Sequence, residues 1–476
     1  MKPLLEFLSK DEIYMIHQAS LEILERVGVR FESEEAQQTL KSVGVDVDAN
    51  GVARFHSDIV EEFVKKAPRS VVLRARDPKQ DVYLRDGRVA FTSGTGMYVV
   101  EGKSARKSTY QDCCDWARLC DSIKNVDFAA EIHSTDVPLE LTDRYNFKAM
   151  ATNTTKPFIG SSLSRAGVLD EIEMAAAIAG GKEELKRRSQ WWTAYCAISP
   201  LTWSENACTV FRETAPYNIP VFVEGESVIG GTSPVTVAAT LAQTNAEALS
   251  GIVYNQILKK GRPCVFNIGF SHPMDMKTCL ALHGNIVAGI VGAGGAQIAR
   301  FYGLPSASWM ATDSKLSDAQ CGYEKALTGI IPALARANII WGMGQAEFTY
   351  AVDFEKLVID DEIVTQMKRA LDGIEVTEDT LCLEAIERVG IGGSFLTSKA
   401  KDTFKHIQKE TTELTVGDRN TREKWLASGG RSIGEKAREK VKEILETYEP
   451  EPLDGDIVKK LDEIIENAKR NLSKKQ

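Results

Sequence analysis

Short apolar runs alternate with longer helical segments from about residue 105 onwards, and this alternation limits the possible folds more than any other feature of the chain. The apolar runs span residues 128–132, 157–161, 191–197, 219–223, 263–268 and 339–343. Helical spacing of apolar residues occurs between them, at 109–122, 141–153, 168–179, 204–217, 235–260, 276–302 and 318–336. Strands that are apolar throughout are buried on both faces, which is typical of a parallel sheet covered by helices. With this many units the sequence predicts an α/β fold, specifically a TIM (β/α)8 barrel rather than an open doubly wound sheet.

Two flanking regions complete a chain that we interpret as one elaborated domain. Residues 1–104 are predicted to be a lead-in of helices and β-hairpins, with Asp86-Gly87 as a hairpin signal. Residues 105–396 contain the predicted barrel, and residues 397–476 form a C-terminal helical extension. Helical patterns outside the barrel occur at 11–27, 33–43, 399–412, 433–448 and 456–472. The last of these segments are amphipathic, so we expect them to pack on the barrel or on a second subunit, and we predict a homo-oligomer.

The acidic net charge of the chain is compatible with an enzyme that acts on small molecules. The chain has 476 residues, and 58 Lys and Arg against 67 Asp and Glu give a net charge of −9. This balance disfavours a surface that neutralises phosphates, so no nucleic-acid partner is expected. No apolar stretch reaches the roughly 20 residues of a spanning helix, and the N-terminus has no signal-peptide pattern. We therefore predict a cytoplasmic location and no membrane partner.

Several common chemistries have no motif in this sequence. The nine cysteines include no CxxC pair and the six histidines no HxxxH or HExxH, so a zinc site would need ligands from distant strands. We predict no tightly bound metal. The glycine-rich residues 292–295 lie in an apolar helical pattern, which favours close helix packing over a dinucleotide-binding loop. Neither a P-loop nor a nucleophile-elbow motif occurs.

Aromatic residues recur where the predicted strands end. Since strand carboxyl ends meet at one mouth of a barrel, several of these rings are expected to line a single cavity. A box of rings is the physical solution for a quaternary ammonium, which has no N–H to donate and is held by ring faces and dispersion. Any one ring taken alone is more simply a core residue. The rings are Tyr98, Trp191, Trp192, Tyr195, Trp203, Phe270, Trp309, Trp341, Phe348 and Tyr350, with His272 beside Phe270.

Charged residues accompany the rings at similar positions, among them Glu131 and Asp313. Arg300 or Lys315 is a candidate to hold a carboxylate, because both are permanent cations at neutral pH. Glu224 or Glu347 is a candidate to complement a cation. Each charge alone is also compatible with a solvated or structural role.

Several segments together resemble the trimethylamine methyltransferase (MttB-like) family, and in particular its members without pyrrolysine that demethylate quaternary amines. The resemblance runs from the early helices to about residue 395. The segments that carry it are GTSPVT at 231–236, TLAQTNAE at 240–247, YGLP at 302–305, TDSK at 312–315, DAQCGYE at 318–324 and LVIDDE at 357–362.

The resemblance implies a TIM barrel and methyl transfer from an amine to the Co(I) corrinoid (cobalamin) of a separate partner protein in one-carbon metabolism. The family's archetype uses pyrrolysine for trimethylamine, and this chain has no unusual residue. A quaternary ammonium releases a neutral tertiary amine without a general acid, so we expect orientation and desolvation rather than catalytic acid–base residues. The predicted substrate is glycine betaine, yielding dimethylglycine, with proline betaine, carnitine and γ-butyrobetaine as close alternatives.

The predicted substrate-binding residues follow from this interpretation. Tyr98, Phe270, Trp309 and Phe348 would cage the ammonium, with Tyr195 as a further ring. Arg300, Lys315 or His272 would meet the carboxylate, and Glu224 and Glu347 complete the predicted set. Two functions of other classes stay open: a zinc-dependent methyltransferase for a thiol or a methanol-like substrate, and a non-catalytic betaine-binding protein.

Overall fold

Eight strand–helix units follow one another in the structure, a computed structural model that describes residues 3–85, 87–396 and 401–474. The strands are β1 (Ala90–Ser93), β2 (Ala129–Ala130), β3 (Phe158–Ile159), β4 (Trp191–Ile198), β5 (Val221–Glu226), β6 (Cys264–Gly269), β7 (Ser306–Trp309) and β8 (Ile339–Met343). The helices that follow them are α1 (Tyr110–Ser122), α2 (Thr142–Asn153), α3 (Arg165–Ala179), α4 (Glu205–Thr214), α5 (Val237–Leu258), α6 (Ile286–Tyr302), α7 (Ala319–Leu334) and α8 (Phe354–Asp372). The fold is therefore mixed α/β, as the alternation predicts.

All pairings among these strands are parallel. Each strand from β2 to β7 pairs with the next in the chain, and β8 pairs with β1. An isolated parallel bridge between Thr92 and Phe128 links β1 to the residue before β2. There the amide N of Asp127 donates to the carbonyl O of Phe91 at 2.8 Å, and the Thr92 hydroxyl donates to the carbonyl O of Phe128 at 2.8 Å. Every strand end therefore points the same way, so the residues after the strands gather at one end of the sheet.

The strand predictions needed two corrections. β1 lies within the predicted lead-in but pairs with β8, so it belongs to the main sheet. β7 was not predicted because its sequence, Ser-Ala-Ser-Trp, is not an apolar run. Its small residues have a packing reason: a Cβ on Gly292 of α6 would lie 2.0 Å from the Ser308 hydroxyl. The glycines of α6 thus allow close helix–strand packing, which confirms the interpretation made from the sequence.

The helix predicted over 276–302 begins only at Ile286. Its first part is instead an antiparallel pair of strands, His272–Asp275 and Leu280–Ala281. Asn285 caps α6, because its side chain accepts a hydrogen bond from the amide N of Val287 at 3.0 Å. The pair of strands, called here the 272–281 hairpin, extends from β6 and stands over the carboxyl ends of the strands.

The N-terminal region adds helices and short strands to the sheet. Its helices are Lys10–Glu22, continued by a π-helical turn at Ile23–Val27, then Glu34–Lys41 and Ser57–Val64. Its strands are Val29–Phe31, Asp46–Val47 and Val52–Arg54, and Val29–Phe31 pairs in parallel with Thr202–Trp203 after β4. Val71–Leu73 pairs with Val82–Leu84, and Tyr98–Glu101 with Ser104–Lys107. A hairpin was predicted around Asp86-Gly87, but Val82–Leu84 pairs with Val71–Leu73 and β1 pairs with β8 instead of with each other. Asp86 itself lies outside the described residues.

The C-terminal region is helical, as predicted. Its helices are Glu378–Leu381, Leu383–Val389, Lys401–Glu410, Arg422–Ala427, Ile433–Thr447 and Gly455–Ser473. The last helix buries Leu461 and Ile465 in the main hydrophobic core, so its amphipathic stripe packs on the body of the molecule. Within the part of the chain that the structure describes, no helix is both long enough and apolar enough to span a membrane.

Aromatic side chains from several of the eight strands pack against one another. The ring of Trp341 lies 6.1 Å from that of Phe128, 5.7 Å from that of Phe222 and 6.2 Å from that of Trp192. These rings belong to one apolar cluster, and the residues at the carboxyl ends of the strands lie above it.

Candidate functional site

A cavity of 150 Å³ lies at the carboxyl ends of the strands, directly above the packed rings. We call it the inner cavity. All eight strands, or the residues that follow them, contribute to its wall, which is why residues far apart in the sequence meet here. The lining residues are Thr95, Ala130, Glu131, His133, Ile159, Gly160, Ser161, Ala194, Glu224, Glu226, Phe270, Trp309 and Trp341.

Three aromatic rings form one side of the inner cavity. The ring of Trp309 lies 4.5 Å from that of Phe270 and 5.7 Å from that of Trp341. The Nε1 atoms of both indoles are buried and have no hydrogen-bond partner among the described residues. The π faces of such rings attract cations, most strongly when water is excluded.

Three carboxyl groups, those of Glu131, Glu224 and Glu226, also line the inner cavity. One Glu131 oxygen accepts a hydrogen bond from the amide N of Ser161 at 2.8 Å, while its second oxygen and one oxygen of Glu224 are buried without a partner in the described chain. Burial raises the pKa of Glu131 to about 8, and burial with the charge of nearby Glu226 does the same to the pKa of Glu224. Burial also raises the pKa of Glu226. A cation that enters beside these buried carboxyl groups stabilises their ionised forms, which burial alone disfavours.

A cluster of Glu226, His272 and His283 adjoins the inner cavity. One potential ligand atom from each residue lies within 4.8 Å of the others. Nε2 of His272 is 3.8 Å from Oε1 of Glu226, and the two imidazole rings are 3.9 Å apart. Burial lowers the pKa of both histidines to about 3, helped at His283 by His272, so both rings are neutral at physiological pH. Neutral imidazole is the form that binds metal ions.

A second, more open cavity of 470 Å³ shares Thr95 and His133 with the inner cavity. We call it the outer cavity. The 272–281 hairpin and the segment that contains Phe348 form its sides. Glu347, Phe348 and Thr349 all have positive φ, at 48°, 53° and 74°, a costly conformation for residues other than glycine. Such strain is found preferentially at functional sites, and here it sets the position of the Phe348 ring.

The structure brings some of the predicted site residues together. Phe270, Trp309 and Glu224 line the inner cavity, and His272 lies in the adjoining cluster. Phe348 lines the outer cavity, and the Lys315 ammonium lies 4.1 Å above its ring centre while donating to the carbonyl O of Asp313.

Other predicted residues lie elsewhere. Tyr98 is in the strand beside the outer cavity, but it lines neither cavity. Glu347 precedes Phe348 in the chain and does not line either cavity. Tyr195 follows the cavity residue Ala194 in β4 and so faces the other side, where its hydroxyl donates to the carbonyl O of Ser162 at 2.6 Å.

Arg300 lies at the amino end of the strands, opposite to the cavities. It lies in the last turn of α6, whose end adjoins the amino end of β7, and its guanidinium donates to the carbonyl O of Ala335. Helices run opposite to the strands in βα units, so a residue at a helix carboxyl end cannot reach the cavity.

The predicted site residues do not include Glu226, His283 or His133. Glu226 had a usable signal, since it is two residues from Glu224 on one strand and therefore on the same face. His283 had none, because the hairpin that positions it was predicted as helix.

An α/β fold with an acidic and aromatic cavity at the strand ends is suited to binding a small cation. Residues 1–473 match the family model "Trimethylamine methyltransferase (MTTB)". The chain belongs to this family of methyltransferases.

Individual relatives agree with the family assignment. The trimethylamine methyltransferase MttB of Desulfitobacterium hafniense is 35% identical over 97% of this chain and 93% of its own length. MttB of Methanosarcina thermophila is 34% identical over 96% of both chains. A glycine betaine methyltransferase of Desulfitobacterium hafniense is 30% identical over 97% of both chains. The solved monomethylamine methyltransferase MtmB of Methanosarcina barkeri has a similar fold, with a TM-score of 0.53 at 12% identity over 92% of this chain and 88% of that one.

Proposed function

We propose that the protein transfers a methyl group from a quaternary amine to the Co(I) corrinoid of a separate protein, with glycine betaine as the substrate and dimethylglycine as the product. The inner cavity carries this proposal, because Phe270, Trp309 and Trp341 line it together with the carboxyl groups of Glu131, Glu224 and Glu226. Ring faces and carboxylates are the groups that hold a cation without N–H donors. A relative named for glycine betaine and others named for trimethylamine support a methylated amine as substrate.

The proposal includes a closed (β/α)8 barrel. The parallel pairing of β8 with β1 and the bridge between Thr92 and Phe128 support closure of the ring. The barrel would then begin at Ala90, before the predicted boundary at residue 104. The remaining domain limits, the cytoplasmic location and the homo-oligomeric state stay predictions.

The chemistry asks little of acid–base groups. The partner's corrinoid supplies the nucleophile, Co(I). The N–CH₃ bond breaks with its electron pair left on nitrogen, so the amine departs neutral and no residue needs to donate a proton. The tasks of this chain are to orient the ammonium against the rings, to exclude water and to hold one methyl towards the open end.

The outer cavity is the proposed approach of the corrinoid protein. It lies at the open end of the inner cavity, and its rim carries apolar side chains, with Met97 49% and Tyr350 63% exposed. Apolar groups of this kind suit contact with a partner protein and exclusion of water from the reacting methyl.

The carboxylate of glycine betaine would be held at the boundary of the two cavities. Lys315 and His272 remain the proposed partners from the sequence, whereas Arg300 is withdrawn by its position. Proline betaine, carnitine and γ-butyrobetaine remain alternatives because their ammonium heads would meet the same rings.

An anaerobic assay with free Co(I) cobalamin tests the proposal. The purified protein is incubated with glycine betaine, each alternative betaine, trimethylamine, methanol and a methyl thioether, and methylcobalamin is followed by absorbance. We expect product from glycine betaine and none from trimethylamine, methanol or the thioether. Product from trimethylamine alone would contradict the substrate assignment. Binding of betaine without any methylcobalamin, also in the presence of the corrinoid protein, would instead support a binding protein.

A further inference from the structure

The cluster of Glu226, His272 and His283 is assembled from three separate segments. Glu226 ends β5, His272 begins the 272–281 hairpin and His283 follows it. Glu226 lines the inner cavity and His283 the outer one, so the cluster lies at the boundary where a substrate would span both. A four-coordinate zinc ion holds its ligand atoms about 3.4 Å apart, close to the 3.8 Å between Glu226 and His272.

The hydrogen bonding of the two histidines leaves nitrogen atoms for a ligand. The His272 side chain is 3% exposed, and neither of its ring nitrogens has a hydrogen-bond partner in the described chain. Nδ1 of His283 lies 3.3 Å from the carbonyl O of Ala281, which can only accept, so Nδ1 carries the proton and Nε2 is left as a ligand. This is the outer contact that orients metal-binding histidines in proteins.

The carboxyl groups near the cluster also favour a cation, because a cation beside them stabilises their ionised forms. Glu131, Glu224 and Glu226 line the inner cavity, and no residue lining either cavity in the described chain is Lys or Arg. A substrate ammonium held by the rings offsets part of this charge, and its carboxylate would add to it. An ion at the cluster would compensate the remaining charge where the substrate carboxylate is expected.

We propose that Glu226, His272 and His283 bind a divalent zinc ion, whose open coordination position accepts the carboxylate of the substrate. Two histidines with one carboxylate are a ligand set that zinc uses when a fourth position stays open. The zinc site is assigned from the cluster geometry alone, whereas its role towards a carboxylate rests on the proposed function. In that role the ion would position a betaine, with no part in breaking the N–CH₃ bond.

Zinc content tests the site without substrate or corrinoid. The full chain is stripped with EDTA, dialysed against Zn²⁺, passed through gel filtration and analysed for metal, and Co²⁺ is added separately to follow its visible absorption. We expect one zinc per chain and the spectrum of tetrahedral Co²⁺. The variants Glu226→Gln and His283→Gln should bind zinc at least about tenfold more weakly. His56→Gln serves as the matched control, because His56 is exposed and contacts Glu25 at 3.4 Å, and it should not change zinc binding.

Two results would overturn the site. One is wild-type protein that retains well under one zinc per chain, and this result does not depend on how any variant folds. The other is stoichiometric zinc in both Glu226→Gln and His283→Gln with circular dichroism spectra like the wild type.

The role of the ion is tested by binding measurements on stripped and zinc-loaded protein. Zinc should tighten glycine betaine binding about tenfold and leave tetramethylammonium, which lacks a carboxylate, unchanged. Equal tightening of both ligands, or of neither, would contradict the role while leaving the metal content to decide the site. Since neither measurement involves methyl transfer, failure here is distinct from failure of the proposed function.

Discussion

Arg262, at the amino end of the parallel strands, and two glutamates at the carboxyl end are buried in opposite ways. At the amino end, the fully buried Arg262 uses each of its nitrogens: Nε donates to the carbonyl O of Ile219 at 3.0 Å, and the other two donate at 2.6 Å to the carbonyl O of Phe211 and the hydroxyl of Thr214. At the carboxyl end, Glu131 and Glu224 each keep a buried oxygen without a partner in the described chain. Both ends lie in the same fold, so we attribute the difference in hydrogen bonding to different roles of the two ends.

Completed hydrogen bonds mark a buried charge that holds the chain together, since burial without them is costly. A buried charged group whose hydrogen bonds are incomplete instead destabilises the folded state when no ligand is bound. At the amino end, a single side chain ties α4 to the start of β5. At the carboxyl end, the missing partner is a ligand. Arg262 at the amino end therefore serves stability, and the glutamates at the carboxyl end serve binding.

The largest effect is expected at the amino end. Arg262→Met leaves two carbonyls and a hydroxyl without their donor and should lower the free energy of unfolding by about 4 kcal/mol. Urea or thermal unfolding followed by circular dichroism measures the change. Arg26→Met is the control, because Arg26 is exposed and forms an ion pair with Glu22 across one helical turn, and it should change stability by less than about 0.5 kcal/mol. Equal stabilities of the two variants would remove the assigned role of the amino end.

The next effect is on activity. Trp309→Leu removes a ring from the wall of the inner cavity and should lower kcat/KM for the preferred betaine about 30-fold, from the loss of a desolvated cation–π contact. The matched control is Trp425→Leu in the C-terminal helix Arg422–Ala427, which is distant in sequence from every cavity residue and should leave kcat/KM unchanged. If Trp309→Leu kept wild-type kcat/KM, the rings would be core residues and the cage would be wrong.

A smaller effect concerns stability and pH. The raised pKa of Glu224, about 8, lies above the usual value of 4.5, so between these values the folded state binds a proton that the unfolded state loses. The contribution of Glu224 to the free energy of unfolding is therefore fully present below pH 4.5 and is lost as the pH rises towards 8. Glu224→Gln removes this loss, so it should be about 1–2 kcal/mol more stable than wild type at pH 7 and similar at pH 4.5. A variant less stable than wild type at pH 7 would show that Glu224 is a structural group like Arg262.

The sequence predicted most of the architecture because the local signals agreed with the final structure. The helix expected at 109–122 is α1, and Thr109 starts it with a capping box to Asp112. Prediction failed where tertiary contacts override the local pattern. β7 is a strand because Ser308 packs against Gly292, and the 272–281 hairpin forms within a stretch whose residues look helical.

The site was predictable to the extent that it follows from strand ends. Phe270, Trp309 and Glu224 were found because they lie at or just after strands. Arg300 was wrong because it lies in the last turn of α6, and the carboxyl end of a helix in a βα unit lies at the amino end of the sheet, opposite to the cavity. His283 reaches the cavity through a hairpin, and its meeting with His272 is a long-range contact that no periodicity encodes.

The smallest predicted effect is the pH dependence of cation binding at the carboxyl end. Tetramethylammonium has a fixed charge, so any change of its affinity with pH reports on the protein. The carboxyls of Glu131 and Glu224, with pKa values of about 8, are mostly neutral at pH 7 and mostly ionised at pH 9. Affinity should therefore rise about fivefold over this range, measured by calorimetry. The double variant Glu131→Gln with Glu224→Gln should bind weakly and without this rise. A rise that persisted in the double variant would move the charge that recognises the ammonium away from the inner cavity, and the contrast between the two ends would then rest on stability alone.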